Sequence, residues 1–222
     1  MDYLLGNDEV YLTLHNSYGL PEKMPVALFF REEGDLTPLE HHALKLCKGT
    51  VLDIGAGVGA ISLILQETRD VTAIDISADA CEIARLRGVK KVIQGNIMDC
   101  KEGRYDTLLM LMNGIGLVEE VRGLTGFLKH LRSLLSDDGQ VVLDSSDLSY
   151  LYKELKSDNT LGEIRYQYEY KKKKDPWFNW LYVDQVTLGI MPRQRASTCV
   201  LPMRIIWTST LLYLLLFDPV MF

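Results

Sequence analysis

Two acidic residues and a glycine loop are the residues whose types and spacing indicate chemistry. The loop Gly55-Ala56-Gly57-Val58-Gly59 follows a short β-rich run, and Asp53 stands two positions before its first glycine. Glycines let a backbone turn tightly and approach a ligand closely. Asp75 lies 20 residues after Gly55. A carboxylate at that place can accept hydrogen bonds from both hydroxyls of a ribose.

The position of Asp53 bears on which kind of nucleotide ligand the loop binds. Gly55, Gly57 and Ala60 also satisfy a loose dinucleotide fingerprint, which alone is a weak match. A carboxylate here would repel a pyrophosphate, whereas it would attract an ammonium group. The pattern therefore favours a nucleoside whose other end is an amino acid. An NAD(P)-linked oxidoreductase on the same fold is the alternative.

The elements that position these residues are predicted to be short strands alternating with helices. Strands are predicted over 50–54, 71–75, 91–94, 107–111 and 140–144. Helices are predicted over 39–48 (opened by Pro38), 60–67, about 77–88 (capped by Ser77), 118–135 and 148–155. A turn is predicted at Ser136–Gly139, and loops and short helical pieces before residue 38. This alternation indicates βαβ units, and the Val, Ile and Leu content of the strands indicates a sheet covered on both faces. We predict an α/β fold, doubly wound and mostly parallel, with ligands beyond the carboxyl ends of the strands.

The same motifs resemble those of class I S-adenosylmethionine-dependent methyltransferases. Residues 53–59 resemble the glycine motif of that family, and Ala73-Ile74-Asp75-Ile76-Ser77 resembles its acidic second-strand motif. The likeness continues through Gly95-Asn96-Ile97-Met98-Asp99 and covers roughly residues 38–155. The resemblance implies a Rossmann-like fold and S-adenosyl-L-methionine as the cofactor.

The resemblance also implies which residues bind that cofactor. Asp53 would lie near the amino group of its methionine part, Asp75 at the ribose hydroxyls and Ile76 against the adenine ring. Asn96 stands where many members have an Asp that bonds to the adenine amino group. The full implied set is Asp53, Gly55, Ala56, Gly57, Gly59, Asp75, Ile76, Asn96, Ile97 and Asn113. A plain turn is an equal alternative for Asn113, and no catalytic residue and no metal ligand is assigned.

The methyl acceptor is expected to be a small molecule. A net charge of −6 argues against nucleic acid, and Asn113-Gly114-Ile115-Gly116 does not match the Asn/Asp-Pro-Pro-Tyr signature of enzymes that methylate nucleic-acid amino groups. Candidates near the mouth of the site are His15, Tyr18, Glu40, His41 and His42. An aromatic hairpin, with Tyr166, Tyr168, Tyr170, Trp177 and Trp180, either walls the pocket or, as favoured here, packs within a sheet. A cofactor-binding relic without turnover is a further alternative.

The chain is expected to be cytoplasmic and divided into four segments. The four cysteines show no CxxC spacing, and the N-terminus lacks the basic region and apolar core of a signal peptide. The segments are an N-terminal cover with the helix leading into the core (1–49), the cofactor-binding core (50–155), a β-hairpin completing the domain (156–188) and an atypical tail (189–222). No membrane partner is expected.

The tail is apolar from Ile205 to Phe222, with Asp218 its one charge. The apolar run is too short for about 20 membrane-spanning residues. Back-translation from Gly189 with a shift of one nucleotide permits a helix followed by a polar-edged strand. We therefore hypothesise that residues after about 189 are a frameshifted ending, which either forms an improvised strand or stays exposed and favours self-association.

Overall fold

The chain forms two β-sheets, one large and mostly parallel and one small and antiparallel. A computed structural model describes residues 1–101, 103–146, 148, 162–183, 198–201, 206–207 and 210–217. In chain order the strands are β1 (Tyr11–Asn16), β2 (Glu22–Pro25), β3 (Thr50–Ile54), β4 (Asp70–Asp75), β5 (Val92–Gln94), β6 (Tyr105–Met110), β7 (Leu135–Ser146), β8 (Glu163–Tyr170), β9 (Lys173–Lys174), β10 (Phe178–Leu181), β11 (Thr198–Leu201), β12 (Ile206–Trp207) and β13 (Thr210–Phe217).

The helices are short and alternate with the central strands. They are α1 (Pro38–Leu46), α2 (Ala60–Leu65), α3 (Ala78–Arg87) and α4 (Leu124–Leu134). Single 3-10 turns cover Asp2–Leu5, Val26–Phe29, Glu33–Asp35, Ile97–Asp99, Gly114–Val118 and Val121–Gly123. The predicted α/β class, doubly wound and mostly parallel, is confirmed.

The large sheet has the strand order β11-β13-β7-β6-β3-β4-β5 in the described part of the chain. Strands β5, β4, β3, β6 and β7 are parallel, whereas β13 runs antiparallel to β7. The chain leaves β3 toward β4 on one side and returns to β6 on the other. The strand order therefore reverses between β3 and β6, where ligands of doubly wound sheets bind.

Both faces of the large sheet are covered, because neighbouring residues of each strand point to opposite sides. Leu52, Leu108 and Leu143 pack with α4 in one fully buried cluster. Val51 and Leu109 belong to the cluster on the other face, with side chains of α1 and α2. The near-continuous apolar strands of the sequence are thus explained by burial on two faces.

Local sequence signals set the ends of two helices as predicted. Thr37 and Glu40 form a reciprocal capping box at the start of α1, and Pro38 occupies its first turn. Ser77 accepts a hydrogen bond from the Ala80 N–H at the start of α3, and Gly88 ends that helix with φ 103°.

The predicted helix over 118–135 is wrong in its first turns. Residues 114–118 and 121–123 form two separate 3-10 turns, and α4 begins only at Leu124. Glu119 has φ 67°, which no α-helix accommodates. The turn expected at Ser136–Gly139 instead lies within β7 as an irregularity, because Tyr105 pairs with Leu135 while Thr107 pairs with Gln140.

The small sheet, which we call the accessory sheet, has the order β10-β8-β1-β2, with β9 beside β8. The hairpin of β8 and β10 is confirmed, since Phe178 pairs with Tyr166. This hairpin was expected to complete the domain. Its strand β8 instead pairs with β1 in the accessory sheet and does not join the large sheet. Loops and short helical pieces were expected before residue 38, so β1 and β2 correct that expectation. The short helix predicted at 148–155 lies outside the described residues, apart from Leu148.

The described part of the tail joins the large sheet. β13 pairs antiparallel with β7 from Thr210 opposite Ser146 to Leu216 opposite Gln140, and β11 pairs with β13. The described part of the tail thus forms a strand, which was one of its two expected fates. Its origin in a frameshift stays a prediction. No helix among the described residues is long and apolar enough to cross a membrane.

Gly49 and Asp106 join the start of β3 to the start of β6. The Asp106 carboxylate accepts hydrogen bonds from the Thr50 N–H (2.8 Å), the Thr50 hydroxyl (3.0 Å) and the Ser136 hydroxyl (2.8 Å). Gly49 has φ +55°, and a Cβ there would lie 2.0 Å from Asp106 Oδ2. Asp106 is therefore structural, and only glycine fits beside it.

We expect Gly49→Ala to lower the free energy of unfolding by about 2–4 kcal/mol, because it combines left-handed strain with displacement of the Asp106 carboxylate. Chemical denaturation measures the effect. Gly34→Ala is the matched control, since a Cβ there meets nothing within 4 Å, and it should stay within about 0.5 kcal/mol of the unchanged protein. Equal effects of the two substitutions would contradict the assignment.

Candidate functional site

The glycine loop lies at the carboxyl end of β3, at the reversal of strand order. Gly55, Gly57 and Gly59 have φ values of 72°, 55° and 80°, which favour glycine. A Cβ on Gly59 would lie 2.5 Å from Val89 Cγ2, so its close packing also requires glycine. A Cβ on Gly57 would meet no atom within 4 Å. The middle of the loop thus faces open space at the edge where a ligand binds.

Asp75 lies beside this loop at the carboxyl end of β4. Its Oδ2 accepts the Gly57 N–H (2.8 Å) and its Oδ1 accepts the Ser77 N–H (2.8 Å). An ionised carboxylate has about four lone-pair positions. Two protein donors therefore leave acceptor capacity on Asp75 for ligand hydroxyls.

Asp53 is buried beneath the loop. Its Oδ2 accepts a 2.6 Å hydrogen bond from the Ser62 hydroxyl of α2. Burial raises the pKa of Asp53 to about 6 despite that bond, and the nearby Asp75 carboxylate adds to the rise. The carboxyl group thus tethers α2 to β3 and gains a proton readily in mild acid.

Three exposed apolar side chains follow the carboxyl ends of three strands of the large sheet. Ile76 follows β4 and is 68% exposed, Met98 follows β5 and is 44% exposed, and Met112 follows β6 and is 48% exposed. Large apolar side chains exposed along one sheet edge provide a surface for a flat apolar ligand group.

Asn96 and Ile97, both expected to contact the cofactor, begin the 3-10 turn after β5. The Asn96 Oδ1 accepts the Met98 N–H (2.9 Å), so the Asn96 amide oxygen already has one protein partner. Ile97 is buried, and its carbonyl oxygen lies 2.7 Å from His130 Nε2 of α4. The turn is therefore held from within the protein, with Asn96 itself exposed.

Asn113 joins the large sheet to the accessory sheet. Met112 and Asn113 both have left-handed φ angles, 58° and 60°. The Asn113 amide side chain donates to the Leu181 carbonyl oxygen (3.1 Å) and accepts the Ser146 N–H (3.1 Å). The side chain is thus bound within the protein on both of its polar ends, which favours the structural alternative for it.

Asp144 supports this junction and was not singled out from the sequence. It is the last residue of the predicted strand 140–144, as Asp75 is the last of 71–75, and that shared position was the available signal. The buried Asp144 Oδ1 accepts the Asn113 N–H at 2.6 Å. Burial raises the pKa of Asp144 to about 7, against the backbone bonds from Asn113 and Gly114, and the Glu40 carboxylate adds to the rise.

Most of the acceptor-side candidates from the sequence do not converge on the loop. His15 Nε2 lies 2.8 Å from Glu169 Oε2 within the accessory sheet. Glu40 forms two bonds with Arg31, of 3.0 and 2.7 Å, and caps α1. Burial alone would raise the pKa of Glu40, but Arg31 and Thr37 hold it below its ordinary value. His41 and His42 follow on the same helix.

The aromatic hairpin packs ring against ring and also reaches the large sheet. The ring centroids of Tyr168 and Phe178 are 5.4 Å apart, and those of Phe178 and Trp180 are 6.1 Å apart. A Cβ on Gly116 would lie 2.1 Å from Trp180 Nε1, so the indole lies directly on the 114–118 turn. Trp177 and Tyr170 lie apart, Trp177 beneath Arg165 and Tyr170 bonded to Asp2.

A cleft of about 670 Å³ lies at the opposite edge, at the amino ends of β3 and β4. Three of its four cations have protein partners: Lys48 Nζ donates to the Asp138 carbonyl oxygen, Arg69 Nε to that of Cys47, and Lys91 pairs with Asp70. The cleft is remote from the carboxyl ends of the strands and contains none of the predicted site residues.

Comparison with known proteins identifies relatives of the whole architecture. The sequence profile of a methyltransferase domain matches residues 30–183. A SAM-dependent methyltransferase from Bacteroides fragilis, solved with S-adenosyl-L-homocysteine, is 33% identical with a TM-score of 0.88, covering 98% of this chain and 92% of that one. A SAM-dependent methyltransferase from Clostridium acetobutylicum is 13% identical with a TM-score of 0.59, over 81% of this chain and 88% of that one, and shows the fold alone.

One curated relative is a release factor glutamine methyltransferase of Vibrio cholerae. It is 36% identical over 98 residues, which are 42% of this chain and 32% of the relative. The match thus spans about a third of the length of that relative.

The raised pKa of Asp144 predicts a pH dependence of stability. At pH values between the ordinary pKa of an aspartate and about 7, Asp144 holds a proton in the folded protein and releases it in the unfolded chain. The free energy of unfolding therefore falls as pH rises through this range. Asp53 adds the same trend only up to about pH 6. We expect Asp144→Asn to flatten the fall between about pH 6 and 7, measured by denaturation from pH 4 to 8.

The exposed Asp79 in the first turn of α3 provides the control. Asp79→Asn should keep the full pH dependence. An unchanged slope in Asp144→Asn would show that the Asp144 carboxyl does not titrate in this range.

Proposed function

Because the chain belongs to the methyltransferase domain family and is an S-adenosylmethionine-dependent methyltransferase, we propose that it methylates a small-molecule acceptor by in-line transfer. The observation that carries this proposal is the 114–118 turn. Leu117 Cδ1 lies 3.4 Å from the position of a Cβ on Gly55, and Gly116 of the same turn lies against Trp180. The turn therefore places an aromatic surface next to the glycine loop, and such a surface suits a small acceptor with an apolar group.

We propose that the cofactor-binding residues are those that the resemblance implies, namely Asp53, Gly55, Ala56, Gly57, Gly59, Asp75, Ile76, Asn96, Ile97 and Asn113. The residues present fit the group. The space beside Gly57 admits its methionine part, the remaining acceptor capacity of Asp75 suits ribose hydroxyls, and the exposed Ile76 suits an adenine ring. Asn113 contributes through its backbone carbonyl oxygen, which accepts the Gly116 N–H and keeps one lone pair, since its side chain and its N–H are bound within the protein.

When bound, S-adenosylmethionine supplies a methyl group on a positively charged sulfur. The residues of the protein then have two tasks, to orient the acceptor and to exclude water. A general base is needed only for an acceptor that is protonated at the working pH.

We propose the four predicted segments as functional units with one adjustment. Residues 50–155 carry the cofactor site, and 189–222 form the tail. The cover (1–49) and the hairpin segment (156–188) act together, because β1 pairs with β8 from Thr13 opposite Glu169 to Asn16 opposite Tyr166. Acceptor recognition is proposed for this joined unit.

A second candidate acceptor is a glutamine side chain of a protein. The similarity to the Vibrio cholerae release factor glutamine methyltransferase favours it, although the chain spans only 32% of that relative. Incubation with a release factor and S-adenosylmethionine tests it, and methylation of a glutamine would replace the small-molecule proposal.

Family membership decides between the alternatives left open by the glycine loop. It excludes the NAD(P)-linked oxidoreductase as the activity of this chain. Retained cofactor binding with no formation of S-adenosylhomocysteine on any acceptor would support the relic.

We expect Asp75→Asn to weaken S-adenosylhomocysteine binding by about 10- to 100-fold, because a hydrogen bond to a charged group contributes about 1.5–3 kcal/mol. Isothermal titration calorimetry measures the dissociation constant. Asp70→Asn is the control at the other end of the same strand, where Asp70 pairs with Lys91, and should leave the constant unchanged. A similar loss in both variants would point to damage of β4.

The proposed contact between Asp53 and the cofactor amino group predicts a second effect. Since burial raises the pKa of Asp53 to about 6, the free protein takes up a proton below that pH, which the ammonium group must displace. The dissociation constant for S-adenosylhomocysteine should therefore rise about tenfold per pH unit below about 6.

In Asp53→Asn the binding should be weaker at pH 8 and independent of pH from 5 to 8. If the unchanged protein bound S-adenosylhomocysteine equally well at pH 5 and pH 8, the proposed contact between Asp53 and the amino group would be wrong. The role of Asp53 would then be its hydrogen bond with Ser62.

A further inference from the structure

One face of the accessory sheet combines aromatic side chains with a single carboxylate. In the strand register, Tyr168 stands opposite Leu14, and Leu14 stands opposite Glu22. Because side chains alternate between the faces of a strand, these residues share one face with Tyr166. Phe178 pairs with Tyr166, and Trp180 lies two residues further on, so both belong to the same face. We call this the inner face.

The inner face is joined to the carboxyl edge of the large sheet at two points. Trp180 lies on the 114–118 turn through its contact with Gly116. The Tyr166 hydroxyl lies 3.1 Å from that of Tyr182, and the next residue, Val183, donates its N–H to the Ser145 hydroxyl at the end of β7 (3.0 Å). The face therefore lies on the β6 and β7 side of the edge. The proposed nucleoside contacts lie on the β4 and β5 side.

The rings of the inner face are only partly covered by the protein. Tyr166 is buried, whereas Tyr168, Phe178 and Trp180 are each half-buried. Tyr18, also half-buried, meets the Tyr166 ring edge to face with centroids 6.3 Å apart. Ring surface is therefore available beside the proposed site of methyl transfer.

Among the described residues of β1, β2, β8 and β10, the inner face carries one ionised group, Glu22, and no cation. The register places Lys23, Arg165 and Glu169 on the opposite face. Lys171, in the turn after β8, pairs with Asp2. On β9, Lys173 stands opposite Tyr170 and so lies on the same face, but at the end of β8 away from Phe178 and Trp180. Around Phe178, Tyr168 and Leu14, a cationic group would find aromatic rings and the Glu22 carboxylate, and no cation from β1, β2, β8 or β10.

The protein donors to Glu22 leave it able to accept more hydrogen bonds. The Tyr18 hydroxyl and the Asn16 amide both donate to its Oε1, each at 3.3 Å. These are long bonds, so they satisfy the carboxylate weakly.

We propose that the inner face binds the methyl acceptor and that this acceptor is an amine carrying an apolar group. This inference rests on the proposed function. Aromatic faces attract cations, and a carboxylate beside them strengthens that preference. An ammonium group must lose one proton before its nitrogen has a lone pair. The Glu22 carboxylate accepts that proton and, being exposed, passes it to water.

Three probes of the same shape test the preference for charge. They are 2-phenylethylamine, 2-phenylethanol and 3-phenylpropanoate, each titrated calorimetrically at pH 7 into the full chain saturated with S-adenosylhomocysteine. We expect the amine to bind at least about tenfold more tightly than the alcohol, and the carboxylate to bind weakest. Equal or tighter binding of the alcohol or the carboxylate, or no binding of the amine, overturns the inference.

Two substitutions locate the site. Glu22→Gln should weaken amine binding by about five- to tenfold and leave alcohol binding within about twofold. Glu169→Gln is the matched control, because Glu169 lies on the opposite face and contacts His15, and it should change neither affinity. An unchanged amine affinity in Glu22→Gln overturns the inference.

The titration of S-adenosylhomocysteine itself separates this inference from the proposed function. Its failure to bind contradicts the proposed cofactor site. Normal binding together with no preference for the amine contradicts only the acceptor class.

Discussion

The hydrogen bond from the Asn113 N–H to the buried Asp144 carboxylate is the interaction on which the joining of the two sheets depends. Left-handed backbone at Met112 and Asn113 costs roughly 1–2 kcal/mol per residue, and this bond holds the chain there. The same conformation directs the Asn113 side chain to Leu181 of the accessory sheet. One buried acid thus sets both the turn over the glycine loop and the sheet beyond it.

Buried carboxyl groups lie near the carboxyl ends of two of the central strands, Asp53 on β3 and Asp144 on β7. Burial raises the pKa of each, so the edge carries acids whose charge responds to their surroundings. Perturbed acids concentrate at functional sites because a ligand or a hydrogen-bond donor can compensate the cost of their burial. The half-exposed Asp75 at the end of β4, on the other side of β3 from β7, already receives two backbone donors.

The parts of the fold that were predictable are those encoded by neighbouring residues. The glycine loop, Ser77 and Pro38 each specify their own backbone, and the structure follows them. The start of α4 was mispredicted because the left-handed Glu119 interrupts an otherwise amphipathic run. β1 was missed because its partner β8 lies about 150 residues away in sequence, and nothing local signals such a pairing. Asp144 was missed although it ends a predicted strand, because its partner is a backbone N–H, whose position the sequence does not specify.

The pairing of β1 with β8 also orders events during protein synthesis. The ribosome releases β1 long before the residues of β8 exist, so Leu14 has no partner at Tyr168 until most of the chain is made. The strands from β3 to β7 pair with one another, and all of them have been synthesised before β8. Domains form from such earlier segments first, and distant pairings are slow. The nascent chain therefore completes the strands that carry the glycine loop before the accessory sheet can form.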